Sequence, residues 1–384
     1  MSERRAICLH NVATVRFGAD CVVACADDLA AIGVTRPFLV TTGPTLALCD
    51  PLLARLAERG LAATVWHGLA GEPTLAEFAN ALEAARAIGA DAVIGLGGGS
   101  AMDVAKLVAA LADGRQPVRE VIGVDLLRHR ALPLACVPTT AGTGSEVTPI
   151  AILGDEDDEL KKGVVSRHLV PDFAYLDAAL TVSMPRAVTA STGIDALTHC
   201  IEAFANRHAH PVVDVFAREG MRLVVDHVER ACADGGDLDA RAAMLRASYY
   251  GGLCLGPVNT AAVHALAYPL GGEFHVAHGV ANSILLPHVL RFNAATAPAR
   301  YAEMAAALGL ARSGNDARDA QAAIERIAAI SARCGIPSGM HHFGISANAI
   351  PHMAAAAMSV TRLLANNLPE VTEADAAAIY QAAL

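Results

Sequence analysis

The sequence predicts an α/β domain over residues 1–185, a parallel sheet with helices on both faces, followed by an all-helical domain over 186–384. Three observations carry this expectation. Short runs rich in Val, Ile and Leu alternate with helical stretches through the first half, as in sheets buried on both sides. After about Pro185, apolar residues recur at helical spacing and β-branched runs become rare. At 384 residues and 54% apolar content, the chain is also long enough for two separate cores.

Taken in order, residues 5–10 and 13–17 read as two short strands paired in a hairpin, and 18–31 as a helix. A strand at 37–42 stops at Gly43-Pro44, where Pro44 suits the first position of a helix running to about Gly60. Next come a strand at 61–66, a helix at 74–88, a buried strand at 91–96, a helix at 101–112 and a strand at 132–137. Alanine dominates windows such as 301–310 and 317–332, which read as helices.

Composition removes several classes of function. No uncharged apolar run approaches the ~18 residues that a membrane span needs. The first residues, Met1-Ser-Glu-Arg-Arg, lead into no apolar signal core, so a cytoplasmic address is expected. Nine cysteines without a CxxC pair read as reduced thiols, mostly small core residues. With a formal charge of −10 and basic runs no longer than pairs, neither nucleic acid nor an acidic membrane surface is an expected partner.

Two loops carry cofactor chemistry. Gly95-Leu-Gly-Gly-Gly-Ser100 follows a strand and opens a helix containing Asp103 and Lys106, so the backbone N–H groups at that helix start face outward, ready for an anion. It departs from the usual dinucleotide fingerprint, coming after the third or fourth strand and ending in Ser100 instead of a third glycine; a tight turn without a ligand would look the same. Pro138-Thr-Thr-Ala-Gly-Thr-Gly-Ser-Glu-Val147 also leaves a strand end, offering the hydroxyls of Thr139, Thr140, Thr143 and Ser145. Two such loops imply one long ligand at the carboxyl edge of the sheet, near which Lys161-Lys162 adds positive charge.

A metal reading comes from the second half. In Ser191-Thr-Gly-Ile-Asp-Ala-Leu-Thr-His-Cys200, Asp195 and His199 lie one helical turn apart and project from one face. His264, inside an apolar helical run, and His278, in Gly271-Gly-Glu-Phe-His-Val-Ala-His-Gly279, complete a set of three imidazoles and one carboxylate that suits Fe, Zn, Ni or Mn. Taken singly, each histidine also fits a hydrogen-bonded core position; three histidines and Asp195 together in motif context favour the metal. Cys200 is expected to point away from the metal face.

Taken together, the glycine–serine loop, Pro138-Thr-Thr-Ala-Gly-Thr-Gly-Ser-Glu, Gly193-Ile-Asp-Ala-Leu-Thr-His, His264-Ala-Leu-Ala-Tyr-Pro-Leu-Gly-Gly and His278-Gly-Val-Ala-Asn resemble the iron-containing (group III) alcohol dehydrogenases, in order from about Thr41 to the C-terminus. The resemblance implies a dehydroquinate synthase-like architecture, a dinucleotide-binding domain over 1–185, a metal-binding helical domain over 186–384, a metal in the cleft between them (Fe2+ ahead of Zn2+), and a homodimer. Carried over by position, Asp195, His199, His264 and His278 are the metal ligands. Gly97, Gly98, Gly99 and Ser100 hold the pyrophosphate of NAD or NADP, and Thr42, Asp103, Thr139, Thr140, Thr143 and Lys162 line the rest of the cofactor.

Two departures matter. Members preferring NAD often carry an acidic residue where this chain has Thr42-Gly43; an aspartate there would repel the extra phosphate of NADP, so both cofactors stay open. Tyr268 stands four residues after His264, where many members have a second histidine, and tyrosine, with a reference pKa of ~10 against ~6.5, is the poorer proton shuttle near neutrality. His275, three residues before His278, could take over that role or be a surface loop residue. The implied activity is hydride transfer between a small alcohol and NAD(P), with an aldehyde or ketone as the oxidised partner. The alternatives are a sugar-phosphate dehydrogenase or lyase of the related fold, which would want more Lys and Arg near the metal, and a regulator without turnover.

Overall fold

A computed structural model describes residues 5–155 and 160–384. The chain divides into two units, Leu9–Ser183 and Met184–Leu384, the latter taking in residues 5–8.

The first unit contains the strands β1 Thr14–Phe17, β2 Pro37–Thr42, β3 Thr64–Leu69, β4 Ala92–Gly97, β5 Gly123–Val124, β6 Leu134–Pro138, β7 Ile150–Asp155, β8 Leu160–Val165 and β9 Phe173–Leu176. Its helices are α1 Ala24–Ala31, α2 Asp50–Glu58, α3 Leu75–Ala87, α4 Gly99–Leu111 and α5 Val118–Val121. Six strands form one sheet in the order β1-β9-β6-β4-β2-β3, every pairing parallel. The period of two along each strand sorts its side chains into two cores. Phe38, Val40, Val93, Leu134 and Cys136 face Phe78 and Ala81 of α3 and Val104 and Val108 of α4. Leu39, Ile94, Leu96, Ala135 and Val137 face Cys25 and Leu29 of α1 and Leu52 and Leu56 of α2. Burial on both faces is why these strands read as continuous apolar runs, each fully buried Leu or Phe contributing roughly 1.5–3 kcal/mol.

Strand order locates a crevice. From β2 the chain winds outward to β3, then returns to place β4 on the other side of β2, so the connections diverge above the carboxyl ends of β2 and β4. In doubly wound sheets such a point is where ligands bind.

Several elements differ from the sequence expectation. Residues 5–13 form no strand; β1 pairs in parallel with β9, with Thr14 opposite Phe173, instead of closing a hairpin. Just before β1, the Asn11 side chain accepts the Val12 N–H, the local competition that interrupts a ladder. The helix expected at 18–31 begins as a 3-10 turn at Cys21–Val23, and the one after Pro44 as a 3-10 stretch, Gly43–Cys49. β3 starts at Thr64 because the Leu61 and Ala62 N–H groups are spent on Leu56 and Thr35 carbonyls. The small sheet β5-β8-β7 and strand β9, absent from the sequence reading, complete the unit.

The second unit is built of α6 Arg186–Phe204, α7 Pro211–Ala233, α8 Leu238–Leu255, α9 Ala262–Gly272, α10 His278–Ala294, α11 Pro298–Ala307, α12 Asp316–Cys334, α13 Ile350–Met358, α14 Thr361–Leu364 and α15 Glu373–Ala382. Helix α6 is central, packed by α7, α8 and α10. No helix among the described residues is long and apolar enough to cross a membrane.

Lys106 and Glu146 are among the ionisable side chains buried in the first unit. Lys106, near the glycine loop in sequence, turns into the core instead and donates to the Thr148 carbonyl and hydroxyl and the Ile150 carbonyl at 2.8–3.1 Å. Glu146 is 1% exposed, and its carboxylate oxygens have no hydrogen-bond partner among the described residues. Burial pushes this carboxyl up to about 7. A carboxyl with a folded-state pKa above its unfolded value favours folding fully below the unfolded value and loses that contribution as pH rises through the folded one. The window is therefore about pH 4.5 to about 7. We predict that Glu146→Gln, neutral at every pH, melts higher than the parent at pH 8, by on the order of 3 kcal/mol in stability, with the gap closing toward pH 4.5. Thermal unfolding across that range is the measurement, and a gap that does not vary with pH would refute the assignment.

Candidate functional site

Helical spacing puts Asp195, His199 and Glu202 on one face of α6, at positions i, i+4 and i+7. Asp195 and His199 meet His264 of α9: one ligand atom from each lies within 4.8 Å of the others, and all three side chains are buried. His278, the first residue of α10, brings Nε2 to 3.7 Å from Asp195 Oδ1 and is 31% exposed, at the rim of the cluster. The His199 and His264 rings stack with centroids 4.9 Å apart, and His264 and His278 lie 5.2 Å apart at a tilt.

Burial alone would raise the Asp195 carboxyl, but the electrostatic pull of the His199, His278 and His264 rings and a hydrogen bond from Asn282 outweigh it and bring it to about 2. The carboxylate is thus ionised at neutral pH and held by the surrounding rings and the Asn282 amide, a place that a divalent cation suits equally well. Three imidazoles and one carboxylate are a donor set of borderline softness, which fits Fe2+ or Zn2+.

Close backbone approach positions His278. At Gly279, a Cβ would stand 2.4 Å from the Ser191 carbonyl oxygen, so only glycine lets the start of α10 lie this near α6 and carry His278 toward Asp195. On the opposite side of α6, the Cys200 sulfur would lie 2.4 Å from a Cβ at Gly220, away from the cluster as expected, and burial raises its thiol to about 12.

Two residues of the cluster lie outside the sequence expectation. Buried Asn282 donates through Nδ2 to Asp195 Oδ1 at 2.7 Å and lies 3.1 and 3.2 Å from the Nε2 atoms of His264 and His278, while its Oδ1 has no partner among the described residues. Glu202 lies against His264 Nδ1 at 2.5 Å. Their spacings, four residues after His278 and three after His199, were visible signals, since each falls on the ligand-bearing face of its helix. Of the expected proton-relay residues, Tyr268 is half-buried on α9 one turn after His264. His275 is exposed between α9 and α10, at φ 53°, a conformation uncommon for a side chain with a Cβ.

In the α/β unit, most of the expected cofactor residues gather at the carboxyl ends of three adjacent strands: Thr42 ends β2, Gly97 ends β4 and leads into Gly98 to Ser100, and Thr139, Thr140 and Thr143 follow β6. Gly98 precedes α4, a 13-residue helix whose first N–H groups point out of the loop. A Cβ at Gly99 would stand 2.8 Å from Thr143 Cγ2, so the two loops are pressed together where only glycine fits. Thr139 Oγ1 is buried with no partner among the described residues, an orphaned polar atom beside the loop. Asp103 accepts Ser145 Oγ at 2.6 Å and the Ile152 N–H at 2.9 Å, tying α4 to the second loop. Thr42 and Thr45 form a capping box over the turn that follows β2, and Lys162, half-buried on β8, faces Leu153 of β7.

Comparison with known proteins places both halves together. Residues 13–178 match the family model described as iron-containing alcohol dehydrogenase, and residues 189–384 the model for the C-terminal part of the Fe-containing alcohol dehydrogenase family. The chain is 40% identical over 358 residues to long-chain-alcohol dehydrogenase 1 of Geobacillus thermodenitrificans, covering 91% of this chain and 88% of that one. In structure it is similar to a crystallised 1,3-propanediol oxidoreductase, with a TM-score of 0.95 and 31% identity over 99% of this chain and 100% of the other. It is similar also to sulfoacetaldehyde reductase from Bifidobacterium kashiwanohense, solved in complex with NAD+, with a TM-score of 0.88 and 28% identity over 99% of both chains.

Replacement of Gly279 by Ala is expected to lower stability by about 1–3 kcal/mol, because backbone must shift to admit the methyl group. Loosened Zn2+ binding should accompany it as His278 moves off. Thermal unfolding with and without Zn2+ checks both, and an unchanged melting temperature would refute the close-approach argument.

Proposed function

The chain belongs to the iron-containing alcohol dehydrogenase family, and from that premise we propose that it transfers hydride between a small alcohol and NAD(P), interconverting the alcohol with its aldehyde or ketone. The observation that carries the reading is the buried convergence of Asp195, His199 and His264, with His278 at the rim. These four residues hold one divalent metal, Fe2+ ahead of Zn2+. When bound, the metal supplies Lewis acidity toward the substrate oxygen and the nicotinamide supplies the hydride acceptor.

The protein's own contributions are binding, orientation and proton movement. Gly97, Gly98, Gly99 and Ser100, at the start of α4, hold the pyrophosphate against outward-facing N–H groups. Thr42, Asp103, Thr139, Thr140, Thr143 and Lys162 line the remainder of the nucleotide. Tyr268 and His275 carry the alcohol proton to solvent; the support is their position, one following His264 by a turn and the other exposed just before His278. The reading takes residues 1–185 as the dinucleotide-binding domain and 186–384 as the metal-binding domain. It also places the enzyme in the cytoplasm as a homodimer, without nucleic-acid or membrane partners. Relatives named for long-chain alcohols, 1,3-propanediol and sulfoacetaldehyde point to alcohols and aldehydes and lend nothing to a sugar-phosphate or lyase reaction.

Chelator-stripped protein, assayed with short alcohols, diols, long-chain alcohols and aldehydes, should regain NAD(P)-linked turnover on anaerobic addition of Fe2+ or Zn2+. Asp195→Ala is expected to lose metal and turnover while still binding nucleotide; a variant with full activity would refute the site. Thr42→Asp should shift preference toward NAD by at least about tenfold, roughly the 1.4 kcal/mol that one repulsive charge supplies, read as the ratio of kcat/KM values for NAD and NADP. An unchanged ratio would place the 2′-phosphate away from the end of β2.

A further inference from the structure

Glu202 is buried on the ligand-bearing face of α6, 4% exposed. Its Oε2 lies 2.5 Å from His264 Nδ1, and its Oε1 accepts the Val263 N–H at 2.6 Å. That N–H belongs to the first turn of α9, a helix whose N-cap, Ala261, has no side-chain hydrogen bond of its own. One carboxylate of α6 therefore satisfies an orphan donor at the start of α9 and grips the imidazole on the next residue.

We infer that Glu202 is a positioning residue that fixes His264 as the Nδ1–H tautomer and so leaves its Nε2 lone pair free for the metal. The inference rests on the metal reading above and deepens it. A neutral imidazole has one protonated and one bare nitrogen, and only the bare one can ligate. His264 Nε2 is the atom turned into the cluster, 3.7 Å from Asp195 Oδ1. Its proton must then reside on Nδ1, where Glu202 receives it.

A carboxylate suits this place because its oxygens accept, and both of them here meet donors. An amide of the same shape accepts on one side and donates on the other. Gln at this position must point its NH2 group either at the Val263 N–H or at His264 Nδ1. The second choice favours the other tautomer, with the proton on Nε2 and the ligating atom blocked. Residues in this supporting role orient the ligand and raise its basicity, and their loss commonly lowers metal affinity 10–100-fold.

The test is Zn2+ affinity, measured on metal-free full-length protein by competition with a chromophoric chelator, for the parent, Glu202→Gln, His264→Ala and the double variant. Glu202→Gln is expected to weaken Zn2+ binding 10–100-fold in the parent background. In the His264→Ala background the same change should cost no more than about threefold, since Glu202 acts through that imidazole. NAD binding by each variant, followed by fluorescence, reports that the chain is folded. Should the Gln variant fail to fold, Glu202→Asp keeps an acceptor-only side chain and is expected to retain more Zn2+ affinity than Glu202→Ala. Parent-like Zn2+ binding by Glu202→Gln, or an equal loss with His264 absent, would overturn this inference alone. A parent that takes up no Zn2+ while His264→Ala behaves identically would overturn the metal reading, and this inference with it.

Discussion

A buried carboxylate needs counter-charge or donors on every side, and Asp195, at 2% exposure, meets that need through neighbours on three helices. Its own helix supplies His199, α9 supplies His264, and α10 supplies His278 and Asn282. Leaving such a group without partners costs several kcal/mol, so the helices are under pressure to converge where it sits. Gly279 and the Glu202 bridge to the start of α9 are the local devices that allow this convergence. Chemistry and packing are thus one problem in the helical unit, because the charge that makes a metal welcome also makes the apolar surroundings tolerable only when the ligands are in register.

The α/β unit solves a different problem by a neutral route. Its sheet is buried on both faces by apolar alternation, which leaves the carboxyl ends of β2, β4 and β6 as the places where backbone amides and hydroxyls stay available. Glycines at 97–99 hold the two loops close, and Asp103 spends its carboxylate on the architecture of those loops. Buried Lys106 does the same for the segment around Thr148. Polar residues near a binding loop therefore divide into those that face the ligand and those that shape the loop, and position in sequence alone does not separate them. Glu146 illustrates a further case, a carboxyl in the same loop that has no side-chain hydrogen-bond partner among the described residues and keeps its proton toward neutrality.

Much of this is legible in the sequence. Continuous apolar strands between helices announced the parallel sheet, because two-sided burial imposes that composition. The Asp195–His199 spacing placed a carboxylate and an imidazole on one helix face, because helix geometry is local. Less legible was anything needing a distant partner: β1 joins β9 across most of the domain, the β5-β8-β7 sheet consists of short and partly charged runs, and 3-10 turns took over where helices were expected.

By itself, then, the sequence determined the alternation that makes an α/β unit followed by a helical one, the glycine loops, and the residue types from which a metal site is proposed, since these follow from periodicity and side-chain chemistry within a few turns. Only the tertiary structure decided that Asn282 and Glu202 belong to the same cluster, that Lys106 turns inward, and that His275 stays exposed while His278 reaches Asp195. The physical reason is that hydrogen-bond partners and burial are set by which helix faces meet, and in this chain those faces are separated by tens of residues.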